Sequence, residues 1–91
     1  MDKKLIVKRA GHTESYDQRK LYASIYSACL AVREAPQTAE LIAEKVVAEV
    51  EKWLELKHEV TSGDLKLRAQ ASLKTLNPDA FYIYENHRNI R

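Results

Sequence analysis

Glycine and proline are scarce in this sequence, at two each in 91 residues. Irregular loops therefore have little to build on, and long regular elements are expected. The single cysteine, Cys29, excludes an intrachain disulfide and a zinc site built on cysteines. It suits a reducing compartment, so the cytoplasm is the expected location. No apolar run approaches the ~18–20 residues that span a membrane. Met1-Asp2-Lys3-Lys4 is followed by only Leu5-Ile6-Val7 before Lys8, too little for a signal peptide. Charge of one sign is lacking too: 15 basic side chains face 13 acidic ones, for a net +2. That is too mild to imply nucleic-acid or membrane binding, so neither is an expected partner. There is no internal repeat, low-complexity tract or interdomain linker.

What is present describes a folded protein. Hydrophobic residues make up 45% and charged ones 31%, which is neither disordered nor membranous. The length fits one domain over 1–91, with a single core and little room for a deep private cavity.

Residues 4–9 read as a strand, because Leu5-Ile6-Val7 is largely β-branched and has charges at both ends. Ala10-Gly11 reads as a turn and residues 12–16 as a returning strand, giving a hairpin over about 4–16. Asp17 is a good N-cap for a helix over about 17–33, with Leu21, Ile25, Ala28, Cys29 and Val32 on one face. Pro36 suits the first position of a second helix, 36–54. Its inward stripe is Ala39, Ile42, Val46, Val50 and Trp53, flanked by Leu41, Val47 and Leu54, with Glu40, Glu44, Glu51 and Lys52 on the wet side. Lys57-His58-Glu59-Val60 is a break with room for a third strand. Thr61 or Ser62 caps a third helix, 62–76, and Thr61 with Asp64 imitates a capping box. Its stripe is Leu65, Ala69, Leu73 and Leu76. Asn77-Pro78 ends that helix and starts a fourth, 78–90, with Ala80, Ile83, Tyr84 and Ile90 inward and Phe81 and Tyr82 near them. The expected fold class is mainly α, within α+β: a four-helix bundle with a small N-terminal β-hairpin or three-stranded sheet at one end.

Catalytic signatures are missing. There is no HExxH, GxSxG or GxxxxGK[ST] motif. His12, His58 and His87 are far apart, and none pairs at helical spacing as metal ligands do. Cys29 lies on an apolar stripe and reads as a core residue. The run from Val7 to Leu21 is different. Lys8 and Arg9 end a strand, a glycine turn follows, and Lys20 falls in the first turn of a helix. Three cations and a helix N-terminus in one small region suit a polyphosphate. Each piece also has a plainer role. A Lys-Arg pair deters aggregation on an edge strand. Asp17 serves as a cap, Tyr16 as a hydrophobic staple near Leu21, and Lys20 as a solvated lysine.

Val7-Lys8-Arg9, Gly11, Glu14, Tyr16-Asp17 and Lys20-Leu21 resemble the ATP-cone. This is a small regulatory nucleotide-binding domain of ribonucleotide reductase large subunits and of a related transcriptional repressor. The family pattern runs roughly Val-x-Lys-Arg-Asp-Gly-x-x-Glu-x-Phe-Asp-x-x-Lys-Ile. Val60-Thr61-Ser62-Gly63-Asp64-Leu65 is similar to the start of a later family helix, and Ala80-Phe81-Tyr82-Ile83-Tyr84 to the last one. Ala10 departs from the usual Asp, and Tyr16 from Phe or Ile. Neither change removes a cation.

The resemblance implies ATP or dATP held between hairpin and helices, with Mg²⁺ as a supplement, and no hydrolysis. Carried over, Lys8 and Arg9 meet the phosphates from the hairpin and Lys20 from the first helix. Val7, Tyr16 and Leu21 wall the base. Of Glu14 and Asp17, one accepts the adenine amino group and the other caps the helix or fixes Lys20. Ser62 and Leu65 close the pocket from the far side. The implied role is control of a regulated protein, a reductase or regulator, in cis or in trans. Self-association stays open, as does whether the chain is free-standing or part of a longer one. The competing reading is a helical protein–protein interaction or oligomerisation domain with a degenerate nucleotide site, using Tyr22, Tyr26 and Trp53 as anchors.

Overall fold

A computed structural model describes residues 6–9 and 12–87, with side chains over 15–86. The turn expected at Ala10-Gly11, the first residues of the expected hairpin, and the expected helix end at 88–90 with Ile90 lie outside the described residues.

Strand β1 (Ile6–Arg9) pairs antiparallel with β2 (His12–Ser15), with Val7 opposite Glu14 and Lys8 opposite Thr13. A three-residue strand β3 (Glu59–Thr61) lies parallel to β1 on its other side, with Val7 opposite Val60 and Lys8 opposite Thr61. The strand order is β2-β1-β3.

The helical expectation holds: four helices follow one another, α1 (Gln18–Ala31), α2 (Pro36–Leu54), α3 (Ser62–Leu76) and α4 (Pro78–His87). Each starts where local chemistry allows. Asp17 caps α1 by accepting from the backbone N–H groups of Arg19 at 3.1 Å and Lys20 at 3.3 Å. Pro36 opens α2, where its missing N–H costs nothing. Thr61 and Asp64 form a reciprocal capping box at the start of α3, with distances of 3.0 and 3.4 Å. Asn77 caps α4 by accepting from the Ala80 N–H at 3.0 Å.

Helix α1 stops two residues before the position expected from its apolar spacing. Arg33 adopts φ 67°, the left-handed region. The Glu34 N–H then reaches back to the Cys29 carbonyl at 3.0 Å and the Arg33 N–H to that of Leu30 at 2.9 Å. These two bonds are a Schellman closure, in which the left-handed residue satisfies the last carbonyls and turns the chain away.

Packing runs around the bundle: α1 touches α2 and α4, and α3 touches the same two helices and also β1. One core joins Leu21, Ile25, Ala28 and Cys29 of α1 to Ala39, Ile42, Ala43, Val46, Val47, Val50 and Leu54 of α2. Val60, Ala69, Leu73, Ala80 and Tyr84 complete it. Val32, Trp53, Leu65, Leu76, Phe81 and Ile83 are half-buried at its margin, and Leu41 and Tyr82 point outward. The outward pair lies one residue off the apolar stripe, where helical spacing turns a side chain to water. No described helix is long and apolar enough to cross a membrane.

Candidate functional site

Backbone pairing gathers the N-terminal motif at one end of the bundle. Val7 lies between Glu14 on β2 and Val60 on β3, and Lys8 between Thr13 and Thr61. Thr61 is both the last residue of β3 and the cap of α3. Ser62 therefore follows directly on a residue in register with Lys8. The side chains of Val7, Lys8, Arg9 and Glu14 lie outside the described set, so what is fixed for them is strand and register.

The start of α1 contributes the remaining N-terminal candidates. Leu21 is buried in the core. Lys20 is exposed, and Asp17 carries the cap. Tyr16 is half-buried, and its hydroxyl is enclosed without a hydrogen-bond partner. Burial pushes its phenol pKa well above the ordinary value; the Glu51 carboxylate beside it, and Asp17 to a lesser degree, push the same way. Ser62 and Leu65, in the first turn of α3, are half-buried.

Two helix N-termini, those of α1 and α3, thus border the same small sheet. Each carries the partial positive charge of a helix start. Among the described residues, no group of three or more His, Cys, Asp or Glu side chains gathers to hold a metal ion. His58 is exposed, and Cys29 is fully buried with its thiol pKa raised, first by burial and then by Glu34.

Two features have no forerunner in the sequence reading. The first is a carboxylate bridge: Gln18 Nε2 donates to Glu51 Oε2 at 2.8 Å, joining the first residue of α1 to α2. Glu51, expected on the wet side, is half-buried. The second is a polar seam between α2 and α3. The Ser72 hydroxyl donates to Glu49 at 2.7 Å, and Arg68 Nη2 lies 3.9 Å from the same carboxylate oxygen. Neither pairing leaves a local signal, because the partners are 33 and 23 residues apart.

An open groove of about 460 Å³ lies between α2, β3 and α3, lined by residues including Trp53, Lys57, Val60, Leu67 and Arg68. Of the candidates with described side chains, Tyr16, Asp17, Lys20, Leu21, Ser62 and Leu65, none lines it. The Lys57 ammonium sits 5.6 Å from the centre of the Trp53 ring. The Tyr22 and Tyr26 rings stack on α1 with centres 6.2 Å apart. Both tyrosines and Trp53 are half-buried against the core.

Comparison with known families settles the family. The ATP cone domain model matches residues 4–88. The chain belongs to the ATP cone family. The match takes in the strand motif, all four helices and nearly the whole sequence. ATP cones are regulatory nucleotide-binding modules without catalytic activity of their own. Among curated proteins, none matches this cone significantly.

Proposed function

We propose that this cone, as a single module over 1–91, senses adenine nucleotide and passes the result to a regulated protein. ATP or dATP is the effector, with Mg²⁺ shielding the phosphates. The observation that carries the reading is the family match over residues 4–88, in a chain that keeps Lys8, Arg9 and Lys20 together. Three cations suit a triphosphate of charge near −4, because charge-assisted hydrogen bonds to phosphate are the stronger kind. Lys8 and Arg9 bind it from the hairpin and Lys20 from α1. The N-termini of α1 and α3 add their dipoles. Val7, Tyr16 and Leu21 form the wall against the base, Ser62 and Leu65 close the far side, and Glu14 accepts the adenine amino group. Asp17 stays at the helix cap, the role its two hydrogen bonds support.

Control follows from differential affinity. The nucleotide favours whichever conformation it binds better, by no more than the difference in binding free energy. A partner, a reductase or a transcriptional regulator in the cytoplasm, reads that conformation in cis or in trans.

Calorimetric titration with ATP and dATP in the presence of Mg²⁺ tests this. Saturable micromolar binding by the wild type, lost in the Lys8→Ala/Lys20→Ala double variant, is the expected result. No binding by a folded wild type would overturn it. That outcome would favour the interaction-domain reading, which draws on the apolar side chains left in water: Leu56 at 81% exposed, Leu67 and Tyr82 at 65%, and Leu41 at 58%.

A further inference from the structure

Glu51 is the one described α2 side chain bonded to the opening turn of α1. It accepts a hydrogen bond from Gln18 Nε2 at 2.8 Å. Its carboxylate also lies beside the enclosed Tyr16 hydroxyl, close enough to act on the phenol. Tyr16 and Gln18 are the two neighbours of Asp17, whose carboxylate holds the Arg19 and Lys20 N–H groups. One acid on α2 therefore holds the residue that follows the cap, at the first turn of α1. Lys20 stands in that turn.

We propose that Glu51 is a positioning residue for the nucleotide site: its hydrogen bond with Gln18 fixes the first turn of α1, and so the place of Lys20. The inference rests on the reading of Tyr16 and Lys20 as nucleotide-contacting residues. Glu51 itself touches no ligand. The same geometry makes α2 the element that registers a change in that turn.

Charge and position make opposite demands, which makes the idea testable. Glu51 has the sign of a phosphate, so a bystander acid would repel the ligand, and its removal would tighten binding. A positioning acid does the reverse. Glu51→Ala is expected to weaken ATP binding about threefold to tenfold, the scale of one lost side-chain hydrogen bond. Glu51→Gln keeps an acceptor for Gln18 and restores affinity to near the wild-type value. Gln18→Ala reproduces part of the loss, and Glu51→Ala/Gln18→Ala loses no more than Glu51→Ala alone, because the two side chains act as one unit.

The measurement is calorimetric ATP affinity for the wild type and these four surface variants, each checked by circular dichroism at the titration temperature. A role in stability alone lowers the melting temperature and leaves ATP affinity unmoved. Wild-type binding with unchanged or tighter binding by Glu51→Ala overturns the positioning role and leaves the sensor reading standing. Additive losses in the double variant also overturn it. A folded wild type that binds no nucleotide overturns the sensor reading itself, and this inference with it.

Discussion

Asn77 donates through Nδ2 to Oε1 of Glu34 at 2.8 Å, tying the joint between α3 and α4 to the turn that follows α1, 43 residues away. The same side chain caps α4 through its carbonyl oxygen. Asn77→Ala removes both contacts at once. The expected loss is about 1–2 kcal/mol of folding free energy, combining a helix cap with one side-chain hydrogen bond in a half-buried setting. Urea denaturation checks it: the midpoint should fall with the slope unchanged. An unmoved midpoint would show that neither bond matters in solution.

Arg33 is a second point where a single substitution has a definite sign. Its φ of 67° is the conformation that glycine adopts without a Cβ penalty. Arg33→Gly is expected to stabilise the protein by about 0.5–1 kcal/mol, the relief at the left-handed residue less the extra entropy of an unfolded glycine. The Schellman bonds to Cys29 and Leu30 are backbone bonds and survive the change. A destabilised variant would mean that the Arg33 side chain contributes more than the strain removes.

The helix ends show what a sequence can and cannot tell. Asp17, Pro36, Thr61, Asn77 and Pro78 announced four starts, because capping acts over three residues and leaves its mark locally. The end of α1 leaves no such mark: no glycine signals the left-handed closure, and the apolar spacing through Val32 points past Ala31. Leu21, Ile25, Leu73 and Val46 were legible as core from their period. Composition alone does not separate Leu41 and Tyr82, which turn to water, from Val47 and Leu54, which adjoin the same stripes and turn inward. For the site, the order of Lys8, Arg9 and Lys20 was legible from the family resemblance. The bond from Gln18 to Glu51 leaves no such trace, because it joins two helices and the spacing of Glu51 marks it as solvent-facing.

Cys29 gives a clean chemical test of the core. Its side chain is fully buried, and burial with the nearby Glu34 charge raises its thiol pKa. The thiolate is the reactive form, so Cys29 should resist iodoacetamide in the folded protein and react readily once urea unfolds it. Mass spectrometry of the alkylated chain reads the result. Rapid labelling of the native protein would contradict the packing of α1 against α2.

Tyr16 predicts an alkaline limit. Its folded pKa is raised above the ordinary 10.0 by burial, then by Glu51 and Asp17. Below pH 10 the phenol is neutral in both folded and unfolded chains, and its contribution is complete. As pH rises further, the unfolded chain ionises first, so stability falls. Tyr84, raised mainly by burial, acts in the same direction. Tyr16→Phe should flatten the fall in urea midpoint between about pH 10 and 12. Parallel curves for the variant and the wild type would remove Tyr16 from the account.

Nucleotide binding, if it follows the proposal, carries over into stability. At a free ATP concentration about a hundred times Kd, the folded state gains about 2.7 kcal/mol. For a chain of this size that is a rise in melting temperature of roughly 10–20 °C. Differential scanning fluorimetry with Mg-ATP measures it. The Lys8→Ala/Lys20→Ala variant should show no rise, and an equal rise in both proteins would place the nucleotide elsewhere.

Thr61 ends β3 and caps α3 with no residue between the two roles. Strand and helix therefore meet at a single residue, and the start of α3 stands beside the register position of Lys8. A helix of 15 residues is about 22 Å long, so a tilt of about 5° at that start sweeps its far end through about 2 Å. The far end carries Lys74 and the Asn77 joint, across the bundle from the sheet. Under the sensor reading proposed above, a small displacement among the strands would arrive enlarged at the far end of α3.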